Sequence, residues 1–469
     1  MNDVGALTIR ELREAISARR LSAVEATRYY LDRIDAKQAA LAAYTFVDHE
    51  SALAQARAVD AKAARGDALG ALAGVPLSIK DIIDVEAVPT TACSRSSLGT
   101  VPARDAEVVA RLRAGDAIVI GKANCHEFAF GGPSFDLPFP PARNPWNPEY
   151  FPGGSSSGSG VAIAAGLCLA SIGTDTAGSI RSPSAHCGVV GLKPGSGSIS
   201  RRGVRPLSVT MDYVGPMARN ARDCRTVYDC IAQRTGPSRT AGAGGNPAAG
   251  DFSGIRLGLA TVSWALESRL HPETGAAYDR LGMLVEAGGG TIRQVRLPSL
   301  ELIHAAASVA MMAEVAANHA GAVRARYGDY GTVFRTRTLA GESIGFDDYL
   351  AALSLREELH DAVLGLFDTV GFIALPVSMN PPGKLTAVDR FYFLGEPNIN
   401  ILANFLDLPA ITLPCGLSGT GLPIGMQILG PRGSEAALFD IAEGLEQHIA
   451  FDLTPCRAAR PETARMMPG

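Results

Sequence analysis

The amino-acid sequence predicts an α/β protein in which helices pack against one large mixed sheet. Three observations carry this prediction. Apolar residues make up 47% of the 469 residues and charged residues 19%, a balance that suits a large buried core and excludes a mainly disordered chain. Short β-like runs alternate with helical runs along most of the chain. Helix-start signals stand directly before the first apolar periodicities.

Thr8-Ile9-Arg10-Glu11 and Ser22-Ala23-Val24-Glu25 each fit a capping box, in which a hydroxyl and a carboxylate satisfy free backbone donors reciprocally. Ile9, Leu12 and Ile16 then recur at helical spacing, and Val24, Leu31 and Ile34 do so less strictly. Residues 1–65 are therefore expected to form a helical region packed on the main body. Val75-Pro76-Leu77-Ser78-Ile79 reads as a strand leading into Lys80. A helix over residues 106–113 and a strand over 117–120 follow. The pattern returns with a strand at 255–259, a helix at 272–287 and a strand at 291–295. Further strands are predicted at 372–375, 410–413 and 423–428, and Ser434 is placed as the cap of a last helix. Residues 235–250, rich in Gly, Ala, Ser and Pro, read as a flexible surface connection. The chain as a whole, residues 1–469, is expected to form one domain, with a core over 66–230. The helical stretch 300–362 reads either as an excursion covering the substrate or as an ordinary layer.

Charge and cysteine usage narrow the function. With 43 basic and 47 acidic residues the net charge is −4, which leaves no basic footprint for nucleic acid or an anionic membrane. Small neutral substrates are the expectation. Eight cysteines without C-x-x-C spacing predict buried free thiols. No His, Cys or carboxylate group has metal-ligand spacing, so no metal and no cofactor are expected. The first seven residues lack a secretory pattern, and the uncharged stretch 161–174 is too short to span a bilayer. A soluble cytoplasmic protein follows from this reading.

The chemistry concentrates in residues 144–193. Gly153-Gly154-Ser155-Ser156-Ser157-Gly158 and Gly173-Thr174-Asp175-Thr176-Ala177-Gly178-Ser179-Ile180-Arg181 are two Gly/Ser-rich turns flanking an apolar, helix-compatible run. By composition alone they could be structural turns or an anion cradle, but neither the P-loop nor the G-x-G-x-x-G spacing is present. Gly154-Ser155-Ser156-Ser157-Gly158 also matches a nucleophile elbow at Ser156, yet Pro145, Pro148 and Pro152 precede it where a strand is required.

The two turns resemble the signature of the amidase signature family. That pattern is Gly-Gly-Ser-Ser-Gly-Gly, a spacer, then Gly-Thr-Asp-x-Gly-Gly-Ser-Ile-Arg. The upstream Pro76-Leu77-Ser78-Ile79-Lys80-Asp81 resembles the family's lysine stretch, and Gly121-Lys122-Ala123-Asn124, Asp212-Tyr213-Val214-Gly215-Pro216 and Leu422-Pro423-Ile424-Gly425-Met426-Gln427 match further blocks. Ala177 stands for a commoner glycine, and His186 for a usual aromatic such as Phe.

The resemblance implies the amidase-signature fold, a large mixed sheet covered by helices on both sides. It implies a catalytic triad in which Ser179 attacks, Ser155 relays the proton and a neutral Lys80 is the base. It also implies a cis peptide before Ser155, and an oxyanion hole built from the N–H groups of Thr176, Ala177, Gly178 and Ser179. Ser156, Asp175 and Arg181 would support these loops. Phe128, Phe130, Gly131, Gly132 and Phe135 fall in a block bordering the substrate site, which points to an apolar or aryl group. The expected function is hydrolysis of the C–N bond of a small linear amide, with carbamate or ester cleavage as variants. The chain is expected to act alone or as a homodimer on a small-molecule amide or carbamate, without nucleic acid or membrane. Two alternatives stand beside it: the amidase subunit of a tRNA-dependent amidotransferase, and an inactive binding protein of the same fold.

Overall fold

The computed structural model describes residues 4–233, 246–261, 269–389 and 397–458. Helices α1 (Ile9–Ser17) and α2 (Ala23–Leu41) begin as the capping boxes require: the Glu11 N–H donates to Thr8 Oγ1 at 3.2 Å, and the Thr8 N–H to Glu11 at 2.9 Å. Ser22 and Glu25 repeat the exchange at 3.0 and 2.8 Å. The apolar stripe of α1, Ile9, Leu12 and Ile16, is buried against the body. Helix α3 (His49–Arg65) completes this N-terminal layer.

Among the described residues eleven strands form one mixed sheet, with helices on both faces. In chain order they are β1 (Tyr44–Val47), β2 (Pro76–Lys80), β3 (Ile118–Ala123), β4 (Ala170–Asp175), β5 (Val190–Lys193) and β6 (Tyr213–Ala218). Then come β7 (Arg256–Thr261), β8 (Thr291–Arg296), β9 (Phe372–Pro376), β10 (Ala410–Leu417) and β11 (Pro423–Leu429). Their spatial order is β1-β3-β2-β4-β6-β5-β10-β11-β9-β7-β8. Strands β3, β2 and β4 are mutually parallel at one end, as are β9, β7 and β8 at the other. The remaining pairings are antiparallel. Most inner strands are buried on both sides, because helices cover both faces.

Several expectations change. The helix-compatible run after Ser157 is only half helical. Helix α5 (Ser157–Ala164) ends where the chain turns at Gly166, and the rest becomes β4. Periodicity cannot separate a buried strand from a buried helix in so apolar a stretch. Strands β1, β5 and β6 carry no strong alternation and are not legible either. Ser434 does precede the helix Glu435–Ile449, but its hydroxyl makes no capping bond and faces Gly430 instead. Most of the expected connection 235–250 lies outside the described residues. All eight cysteines are free, and seven of them are buried.

The helical stretch after β8 contains three α-helices. Further helices α4 (Glu107–Ala114), α6 (Arg181–Cys187), α7 (Ala221–Ile231) and α8 (Pro272–Ala287) precede it; α9 (Leu300–Ala325), α10 (Thr332–Ala340) and α11 (Phe346–Leu364) compose it. Helix α9 is long and apolar enough to cross a membrane by length and composition, yet it packs against α10 and α11 inside the fold.

Candidate active site

The site is assembled where two parallel strands end. Ile79 of β2 pairs with Ile172 of β4, so the carboxyl ends of both strands reach one rim of the sheet, a common location for ligand sites in α/β folds. Lys80 closes β2, and Thr174 and Asp175 close β4. Alternation along β2 puts Ser78 and Lys80 on one face and Leu77 and Ile79 on the other. The fully buried Lys80 Nζ donates to Ser155 Oγ at 2.7 Å and to Thr174 Oγ1 at 2.8 Å. The peptide between Gly154 and Ser155 is cis.

Ser156 ties the two signature turns together. Its N–H donates to the Ser179 carbonyl at 3.1 Å, its hydroxyl donates to the Thr174 carbonyl at 3.1 Å, and the same oxygen accepts from the Thr174 N–H at 3.3 Å. Ser155 and Ser179 thus line one pocket, with Ser179 still 9% exposed. Lys80, Ser155 and Ser179, spread over about a hundred residues of chain, meet at this rim.

Burial pushes the Lys80 ammonium down to about 8, against the opposing pull of Cys125, Asp175, Asp212 and Cys93. Asp81 does not interfere, because it faces the buried ammonium of Lys122 at 3.0 Å. His126 also lines the pocket, stacked on Phe151 at 5.9 Å between ring centres. Burial, reinforced by Lys80 and Arg337, pushes its imidazole down to about 3, so the ring is neutral at pH 7.

The loop entering α6 is held by one carboxylate. Asp175 accepts from the N–H groups of Gly178 at 2.7 Å and Ile180 at 3.0 Å, and pairs with Arg181 at 3.0 Å. Burial pushes Asp175 upward, but Arg181 and these hydrogen bonds outweigh it and hold the carboxyl well below the usual carboxylate range. Asn404 donates to Asp175, and Asn398 donates to the Ala177 carbonyl at 2.8 Å. Asp212 accepts from Thr176 Oγ1 at 2.7 Å. The loop is therefore fixed from three sides before any substrate arrives.

The pocket around Ser179 measures about 420 Å³ including its open mouth, and opens past Gly154, Ala177 and Asn398 into a larger groove. Of the five residues expected to border it, Phe130 and Gly131 do. Phe128 instead packs in an aromatic cluster with His319, Tyr330 and Phe334, Gly132 is buried away from the pocket, and Phe135 is 59% exposed. Tight turns in this loop send successive rings in different directions, which residue type alone cannot reveal.

Sequence reasoning missed His126, Leu207, Met311, Arg337 and Asn398, all of which line the pocket. Met311 and Arg337 come from α9 and α10, and nothing in their local sequence marks them. Among the described residues no group of three or more His, Cys, Asp or Glu side chains could hold a metal ion.

The family model Amidase matches residues 25–439. A glutamyl-tRNA(Gln) amidotransferase subunit from Geobacter metallireducens is 34% identical over 95% of this chain and 98% of its own length. Among solved structures, an amidase superposes with a TM-score of 0.84 at 30% identity, covering 94% of this chain and 100% of that one. The corresponding glutamyl-tRNA(Gln) amidotransferase subunit from Thermotoga maritima gives 0.78 at 26% identity, covering 96% and 97%.

These relatives correct the expectation of a chain that meets only a small-molecule amide or carbamate and no nucleic acid, alone or as a homodimer. Proteins named as one subunit of an enzyme acting on glutamyl-tRNA(Gln) belong to an assembly built around a nucleic-acid-linked group. One subunit of such an assembly need not carry the basic footprint itself. A net charge of −4 therefore excludes less than the sequence reading assumes.

Proposed function

The chain belongs to the amidase signature family, and on that premise we propose that it is the ammonia-releasing subunit of a tRNA-dependent amidotransferase, opening the side-chain amide of glutamine. One observation carries the choice of donor. The guanidinium-bearing Arg337, only 2% exposed, lines the Ser179 pocket, and no carboxylate is among the described lining residues. A pocket whose described lining offers one fixed cation and no acid favours an amide whose body bears a carboxylate.

Lys80 in its neutral form takes the proton of Ser155, Ser155 takes that of Ser179, and Ser179 Oγ attacks the amide carbon. The oxyanion that forms is met by backbone donors of the loop. Since the Gly178 N–H is already committed to Asp175, we assign this role to Thr176, Ala177 and Ser179. The proton returns through Ser155 to the departing nitrogen, which leaves as ammonia. Water then attacks the acyl-enzyme through the same relay and frees glutamate.

The test is ammonia release from glutamine and from a neutral aryl amide, with the chain purified in its native assembly. Glutamine should be strongly preferred, and the Arg337→Met variant should raise its KM by about 100-fold, the loss of one charge-assisted contact. Equal or better turnover of the aryl amide, with glutamine KM indifferent to Arg337, sinks the proposal.

A further inference from the structure

Arg337 reaches the pocket from a helix that cannot cap itself. Gly331 precedes α10 and has no side chain to meet the free N–H groups of the first turn. Two carboxylates from the loop after β3 meet them instead. Glu127 accepts from the Gly331 N–H at 2.9 Å, and Asp136 accepts from both the N–H and the hydroxyl of Thr332 at 2.8 Å. The negative charge of the Asp136 carboxylate at this end also complements the helix dipole.

The loop and the helix behave as one unit. At Gly131 a Cβ would lie 2.7 Å from Val333 Cγ1, so the loop backbone packs directly on the Val333 side chain of α10 and leaves no room for a side chain of its own. Tyr330 and Phe334 pack on Phe128, and the Arg337 guanidinium lies 5.7 Å from the Phe130 ring. Phe128 and Ala129 hold φ values of +45° and +63°, a conformation that is costly for residues with a side chain. Their N–H groups donate to the carbonyls of Ala92 at 3.0 Å and His126 at 2.8 Å. This twist sends Glu127 toward α10 while His126 and Phe130 face the pocket. Glu127 is itself buried and anchored by the Ser94 hydroxyl at 2.6 Å.

We propose that Glu127 and Asp136 are positioning residues: by capping α10 from outside, they set the Arg337 guanidinium at the wall of the Ser179 pocket and so determine recognition of a carboxylate-bearing amide. The inference rests on the donor reading above. It assigns neither residue any contact with substrate.

The experiment is steady-state glutaminase kinetics of the native assembly carrying Glu127→Gln, Asp136→Asn, Arg337→Met and the pairwise doubles. In parallel, labelling of Ser179 by a neutral fluorophosphonate reports on the triad alone. Glu127→Gln should raise glutamine KM about tenfold, and Asp136→Asn about threefold, with kcat and labelling rate within about twofold of the parent. In the Arg337→Met background each should add less than about twofold, because coupled residues are not additive. Asp136 is solvent-exposed, so its variant keeps the test open if Glu127→Gln does not fold. A parallel fall in labelling, or a KM effect that persists without Arg337, overturns the positioning role. If Arg337→Met leaves KM unchanged, the donor reading fails and takes this inference with it. If Arg337→Met raises KM while neither carboxylate variant does, only the positioning role fails.

Discussion

Lys80 illustrates how a single side chain exchanges stability for chemistry. The fall from 10.5 to about 8 corresponds to about 3 kcal/mol of disfavoured charging in the folded state. Because the folded value lies below the unfolded one, this cost is complete below about pH 8 and fades as pH rises toward 10.5. Lys80→Met should therefore abolish turnover while raising the unfolding free energy at neutral pH, by no more than that amount, since its hydrogen bonds to Ser155 and Thr174 are also lost. Calorimetry alongside an ammonia assay checks both; a less stable, still active variant would contradict the assignment. In the parent, activity should climb with pH through about 8 as Lys80 loses its proton. Ser179→Ala should give no covalent labelling by a fluorophosphonate, and labelling that persists would place the nucleophile elsewhere.

At the scale of elements, the loop from β4 into α6 matters most. Its geometry comes from Asp175 gathering three backbone N–H groups and one guanidinium, not from its glycines alone. Gly178 is nevertheless constrained: φ is +108°, and a Cβ there would lie 2.5 Å from the Asn400 Cβ. Gly178→Ala should displace the oxyanion donors and lower kcat by about 10²–10³. A rate within about fivefold of the parent would show that the loop tolerates the shift. Asp175→Asn removes one partner of a buried pair and should cost about 3–5 kcal/mol in denaturant unfolding, with Arg181 left uncompensated.

The whole molecule has its own pH response, because its core encloses titratable groups. Burial pushes the His186 imidazole down to about 4 from an ordinary value of 6.5. The unfolded chain binds that proton first, so stability falls as pH drops below 6.5 and the loss is complete near 4. His186→Phe removes this single contribution. Its stability relative to the parent should grow by about 2 kcal/mol between about pH 7.5 and about pH 4.5, measured by denaturant unfolding. A constant difference across that range would mean that His186 does not titrate with folding.

What the sequence determined by itself is local or dense in pattern. Reciprocal capping at Thr8 and Ser22 needs only four consecutive residues, and the resemblance of the two Gly/Ser-rich turns and the upstream lysine stretch to the amidase signature placed the triad candidates Lys80, Ser155 and Ser179. The α/β class followed from alternation along the chain. The tertiary structure decided what depends on direction and on distant partners. The run after Ser157 is apolar whether helical or extended, so only the sheet's pairings show where α5 stops and β4 begins. The expected row of phenylalanines was scattered by two left-handed residues, Phe128 and Ala129. Arg337 entered the pocket because a loop some two hundred residues upstream caps its helix, a relation that no local pattern records. A side chain's chemistry is written in its own residue, whereas the burial that shifts Lys80 and the direction that aims Arg337 arise only when separate segments share one space.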